Sequence, residues 1–271
     1  MASIIVNDTT LYYERRGDGH ALLFISGATG DAGHWTGVAD TLANEYTVIT
    51  YDRRGNSRSP RPSGWTSTTV DEQADDAAAL LRGLDLAPAI VFGTSAGASI
   101  AANLAIRHPA VLRGVIFHEP VFRSGVASAA NSRERRKALF EEGMAKGGIR
   151  TATEVFLISV AGQDTYESLD PELRERLLLN GDVLINIELT PFPEYEPTPA
   201  ELASMRLPRL VTAGGDNRDP AAPGHWRYEV ATHLASQLDT PFAELPGAHM
   251  AYLSQPTAFA QALRPLVNKL I

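Results

Sequence analysis

Ala89-Ile90-Val91-Phe92-Gly93-Thr94-Ser95-Ala96-Gly97 reads as a strand, a sharp turn and the start of a helix. Ala89–Phe92 is a short apolar run that ends at a turn-forming glycine, which is the signature of a buried strand. The Ala-rich run Ala96–Arg107 has the composition of a central helix. Between them sits a Gly-x-Ser-x-Gly. The pentapeptide alone is a weak signal, but a strand before it and a helix after it are the setting of a nucleophile elbow. Gly93 and Gly97 remove side chains where the turn is tight and the helix passes the strand closely. Ala98, Ala101 and Ala102 keep the early face of the helix small. Such a turn lifts the Ser95 hydroxyl above the sheet. The competing reading, a phosphate-binding loop, calls for a Lys, and none is nearby.

Working outward, the elements alternate in type. Ser3–Val6 and Leu11–Arg15 flank the turn Asn7-Asp8-Thr9-Thr10 as a hairpin. Ala21–Ser26 is an apolar strand ending at Gly27, and Tyr46–Tyr51 is another, closed by Asp52-Arg53-Arg54-Gly55. Trp35–Ala43 and Val70–Leu84 carry helical spacing. Val115–Phe117, Arg209–Ala213 and Pro241–Leu245 are further strands, and His225–Leu234 and Pro256–Leu270 further helices. This alternation predicts an α/β fold with a mostly parallel sheet and helices on both faces. From Val121 to about Met205 strand signals fade. Charged helical stretches (Ser132–Lys146, Pro171–Leu179) and a Pro-rich segment take over. The expected organisation is therefore a core domain of residues 1–120 and 206–271 with a helical cap of residues 121–205 inserted in it. In open α/β sheets the site lies beyond the carboxyl ends of the strands, where such a cap covers it.

Composition narrows the chemistry. The 271 residues include no Cys, which removes disulfide scaffolds, thiolate nucleophiles and zinc–thiolate sites. A net charge of −8 argues against nucleic acid or anionic membranes as partners. Of 24 Lys and Arg only three are Lys, and the arginines are scattered rather than gathered in one stripe. No apolar run has the length of a membrane span, and no signal peptide is evident at the N-terminus, so a cytoplasmic location is expected. No His pair has metal-ligand spacing backed by carboxylates, so no metal is expected; no cofactor is expected either.

A serine hydroxyl needs a base to take its proton. Of the 7 His, His249 alone sits in a loop after the last strand, in Leu245-Pro246-Gly247-Ala248-His249. That loop faces the same sheet edge as Ser95. An acid must then orient the imidazole. Glu119 follows the strand Val115–Phe117 and is fixed by Pro120, whereas Asp216 and Asp219 lie in the polar turn after Arg209–Ala213. Glu119 ranks first, Asp216 second and Asp219 third, because a turn-forming role accounts for the aspartates. The N–H groups of Ala96 and of Ala28, in the loop Gly27-Ala28-Thr29-Gly30, are the candidates for an oxyanion hole.

Phe24-Ile25-Ser26-Gly27, the Trp35 helix, Asp52-Arg53-Arg54-Gly55-Asn56-Ser57-Arg58-Ser59, Gly93–Gly97, His118-Glu119-Pro120 and Pro246–His249 together resemble the bacterial, capped Gly-x-Ser-x-Gly type of the α/β-hydrolase superfamily. The resemblance covers nearly all of the chain outside the cap. It implies an eight-stranded sheet, with Ser95 as nucleophile and His249 as base. It also allows an acid after the strand that precedes the cap, where Glu119 stands. The chain departs from the family in having Ser26-Gly27 for the usual His-Gly, Thr94 for a common His and Ala96 for a common Met or Gln.

The expected function is hydrolysis of a carboxylic ester, lactone or thioester of a small apolar molecule through an acyl-enzyme. Trp35, Phe156, Tyr166 and Phe192, with Tyr195, are candidates for an apolar substrate pocket, although aromatics at such positions equally build a cap core. The alternatives on the same fold are a non-hydrolytic binding protein, a cyclising tailoring enzyme and a cofactor-free perhydrolase or haloperoxidase. The expected partner is a small-molecule substrate, and a homodimer is left open.

Overall fold

A computed structural model describes residues 2–271. Ala2–Val6 (β1) and Thr9–Arg16 (β2) form an antiparallel hairpin. Its two turn residues, Asn7 and Asp8, have φ of 43° and 60°, as the tight primed turn requires. β2 pairs antiparallel with Tyr46–Tyr51 (β4), and β4 pairs parallel with His20–Ile25 (β3). Ala89–Thr94 (β5), Leu112–His118 (β6), Arg209–Gly214 (β7) and Phe242–Leu245 (β8) continue in parallel, so the eight-stranded order is β1-β2-β4-β3-β5-β6-β7-β8. The chain steps from β3 outward to β4, then returns across β3 to β5. The point where strand order reverses therefore lies between the carboxyl ends of β3 and β5, where a ligand site is expected to open.

Side-chain alternation sends successive residues to opposite faces. Leu22 and Phe24 of β3 pack with Val38 and Leu42 of Thr36–Leu42 (α1) and with Phe259 and Leu263 of Pro256–Asn268 (α7). Leu23 and Ile25 pack on the other face, where Val70–Gly83 (α2), Ala96–Arg107 (α3) and His225–Gln237 (α6) contribute Leu80, Ala98 and Leu234. α2 starts where Thr69 accepts a hydrogen bond from the Glu72 N–H at 3.0 Å, with Asp71 and Glu72 in its first turn beside the positive helix end.

The described residues between β6 and β7 form helices and connecting turns without a strand. Ser132–Ala161 (α4) is broken at Gly147 and Gly148, the latter with φ 73° and ψ −160°. The helix expected over Ser132–Lys146 thus ends where the first of these glycines begins. Pro171–Leu179 (α5) is capped by Asp170, which accepts from the N–H groups of Glu172 and Leu173, and a π-helical turn spans Leu184–Glu188. Polar contacts tie this segment to the loops after β3 and β4. Arg53 meets Glu188 in a bidentate pair at 2.5 and 2.9 Å, Arg176 meets Asp31 at 2.7 Å, and the Asn180 amide donates to the Thr29 carbonyl at 2.9 Å.

Candidate active site

Ser95 stands at the end of β5 and caps α3 with φ 54° and ψ −123°, a conformation that costs a side-chain-bearing residue on the order of 1–3 kcal/mol. The packing around it enforces the bend. A Cβ on Gly97 would lie 2.2 Å from the Ile25 carbonyl oxygen, and one on Gly93 would lie 2.5 Å from that of Gly97. The two glycines therefore let α3 start against the end of β3. The Ser95 N–H is spent on the His118 carbonyl at 3.0 Å, which fixes the turn to β6.

β6 delivers Glu119, which is fully buried and has φ 43°. Its N–H donates to the Thr212 carbonyl at 2.9 Å. One carboxylate oxygen accepts from the Gly214 N–H at 2.9 Å and from the Asn217 amide at 2.7 Å, and the other meets His249 Nδ1 at 2.5 Å. The loop after β8 brings His249 there. A Cβ on Gly214 would lie 2.5 Å from the Gly247 carbonyl oxygen, so the loop lies directly against the end of β7, and Asp216 N–H donates to the same carbonyl at 3.1 Å.

The electrostatics follow from this wiring. Burial pushes the Glu119 carboxyl up, but the hydrogen bond and charge of His249, helped by His118 and Arg227, outweigh it and hold the group at about 2. Burial and then Arg227 push His249 below its ordinary value, against the pull of Glu119. Near neutral pH the pair is thus a carboxylate holding a neutral imidazole. The proton sits on Nδ1, and Nε2 is left as an acceptor.

Ser95, Ala96, Gly27, Ala28 and His249 line one cavity of about 500 Å³, a size suited to a small organic ligand. Phe140, Phe156, Leu184 and Phe192 of the helical segment supply much of its apolar wall. The N–H of Ala96 is the first of α3 and has no partner within that helix. Ala28 lies in a turn whose carbonyls are anchored from outside: Arg53 donates to Gly27 O at 2.9 Å and Asn180 to Thr29 O at 2.9 Å.

The model of the Alpha/beta hydrolase family matches residues 22–262. The chain belongs to the alpha/beta hydrolase family. The hydrolase is 33% identical over 269 residues to the uncharacterized hydrolase YraK of Bacillus subtilis (strain 168), covering 97% of this chain and 94% of YraK. Among solved structures it resembles a thermophilic esterase from Thermogutta terrifontis (TM-score 0.73, 22% identity, 97% and 94% of the two chains). It also resembles the enol-lactonase of Burkholderia xenovorans LB400 (TM-score 0.72, 20% identity, 98% and 100%). At these identities the two structures speak for the fold alone.

Of the residues singled out in the hydrolase sequence, Ser95, His249, Glu119, Ala28 and Ala96 converge on one region, and Phe156 and Phe192 line its cavity. Asp216 and Asp219 do not join them. Both are exposed, and Asp219 spends a carboxylate oxygen on the Ala221 N–H at 2.9 Å. Trp35 is not a pocket residue. It is fully buried between Phe24 and Tyr252, at ring distances of 4.6 and 4.3 Å, with its indole N–H on Ser26 Oγ. Tyr166 is not one either, because it packs against Leu157 and Leu177 and donates to Glu154. Both aromatics fill cores. The sequence reading missed Arg53 and Glu188, which hold the Gly27 loop, and the arginines of the cavity wall. In the sequence Arg53 is only part of a fold motif, and a partner 135 residues away leaves no local trace.

Proposed function

We propose that the hydrolase cleaves a carboxylic ester, lactone or thioester of a small, largely apolar molecule through an acyl-enzyme on Ser95. His249 Nε2 takes the proton as Ser95 Oγ attacks the carbonyl carbon. The N–H groups of Ala28 and Ala96 hold the oxyanion of the tetrahedral intermediate. Collapse breaks the bond to the leaving oxygen or sulfur, which receives that proton from His249. Water then repeats the sequence with the same base and releases the acid. Glu119 keeps Nδ1 protonated and stabilises the imidazolium while it exists.

The observation that carries this reading is a serine on a strained strand–helix turn sharing its cavity with an imidazole whose Nδ1 meets a buried carboxylate at 2.5 Å. The esterase and enol-lactonase among the fold relatives support an ester or lactone as the bond cleaved. The helical segment 121–205 acts as a cap that supplies the apolar wall and keeps bulk water from the acyl group. The test is hydrolysis of short p-nitrophenyl esters. Ser95→Ala and His249→Ala should each lower kcat by on the order of 10⁴-fold or more. Full turnover by Ser95→Ala on every ester that the wild type cleaves would overturn the proposal.

A further inference from the structure

The cavity wall carries an unexpected amount of positive charge for an acidic protein. Arg123, Arg135, Arg136 and Arg227 all line it, and the one carboxylate on the same lining, Glu188, is engaged by Arg53. Arg123 donates to Ser132 Oγ at 2.7 Å and to the Val121 carbonyl at 2.9 Å, contacts that orient its guanidinium but do not neutralise it. Arg227 lies over the Trp226 ring at 4.6 Å. The nearby Glu196 carboxylate is occupied by the N–H groups of Arg123 and Ser124 and by Arg133. Among the described residues, the guanidinium groups of Arg136 and Arg227 have no carboxylate at ion-pair distance. The charges acting on Arg136 are those of other arginines, Arg133 and Arg227.

Half-buried like charges destabilise a fold that gains nothing from them, and the carboxylates that act on Arg227 and Arg123, Glu119 and Glu196, are already held by His249 and by backbone N–H groups. Burial first, and neighbouring arginines next, push Arg123 down to about 9 and Arg136 down to about 10. Both remain cationic at neutral pH. A guanidinium offers a planar fork that matches a carboxylate, and a semi-enclosed apolar cavity strengthens that pairing. Phe140, Phe156, Leu184 and Phe192 on the same wall suit a hydrocarbon chain rather than a multiply charged group.

We propose that this cavity selects esters or lactones that carry a carboxylate, bound by Arg136 and Arg227 with Arg123 on the same lining, while the apolar wall takes the hydrocarbon between that carboxylate and the bond at Ser95. The placement of the bond rests on the acyl-transfer reading above; the anion site does not.

Two measurements separate them. In the first, Ser95→Ala is titrated by calorimetry with 5-phenylvalerate and with its neutral amide, at about 50 mM and about 500 mM salt. The acid should bind at least about tenfold more tightly at low salt, and the advantage should shrink at high salt. Adding Arg136→Gln or Arg227→Gln should remove most of it, and Arg136→Lys, which keeps the charge but loses the fork, should fall between. In the second, wild-type kcat/KM is compared for p-nitrophenyl hydrogen adipate and p-nitrophenyl methyl adipate. The carboxylate ester should be favoured about tenfold, mainly through KM. Equal or weaker binding of the acid, or a preference that survives in both glutamine variants, would overturn the anion site. Tight, arginine-dependent binding of the acid with no ester cleaved would instead uphold the anion site and defeat the hydrolytic reading.

Discussion

Glu119 and Asp216 end neighbouring parallel strands, yet only Glu119 meets His249, and this difference sets the sharpest expectation for single residues. Glu119→Gln replaces an acceptor that fixes the Nδ1 tautomer with an amide that can present a donor. It should cut kcat on a neutral p-nitrophenyl ester by on the order of 10³-fold or more. Asp216→Asn alters an exposed turn and should stay within about twofold of wild type. A second expectation concerns pH. Because burial and Arg227 lower the His249 value below 6.5, the acid limb of kcat/KM should have its midpoint below 6.5. Arg227→Gln removes a repelling charge, so it should move that midpoint upward; an unmoved or lowered midpoint would reject the assignment of that limb to His249. Ser95, Glu119 and His249 were legible in the sequence because each lies at or just beyond the end of a strand that the hydrophobic pattern reveals. The pocket aromatics were only half legible. Trp35 and Tyr166 have the composition of a ligand wall, but their neighbours in space close over them, and periodicity cannot tell the two situations apart.

At the scale of elements, the strands and the long helices follow from short apolar runs and amphipathic spacing, and the observed ends differ from the expected ones by a few residues. The helical segment was less legible. Its short helices, such as Gln163–Ser168 and Pro191–Glu194, are too brief to show a period, and they are held by tertiary contacts rather than by propensity. The Arg53–Glu188 pair, bidentate and almost fully buried, is a contact of this kind between the segment and the core. Glu188→Ala would strand Arg53 in the interior and release one anchor of the loop that carries Ala28. It should cost about 3–5 kcal/mol of stability, read as a drop in the denaturation midpoint, together with a fall in kcat. A variant as stable and active as wild type would show that the pair does not position the loop.

At the scale of the whole molecule, two buried imidazoles besides His249 link the fold to pH. His34 and His118 are each pushed down to about 4 by burial from the usual 6.5, with neighbouring charges as lesser influences. Unfolded chains bind these protons near 6.5, whereas the folded protein refuses them until about 4. Between those values the unfolded state holds more protons, so stability is complete above the upper value and falls on acidification, by up to about 1.4 kcal/mol per pH unit for each group. His34→Phe should reduce that slope by about one proton's worth, measured as unfolding free energy against pH. The same architecture brings the ends of β3, β5 and β6 and the loop after β8 to one cavity, where the Ser95 hydroxyl is the proposed nucleophile. Treatment with a fluorophosphonate followed by peptide mass spectrometry tests it most directly. The expected result is a single adduct on Ser95 that is lost in Ser95→Ala and strongly slowed in His249→Ala. An unlabelled wild type, or a label on another residue that persists in Ser95→Ala, would contradict it.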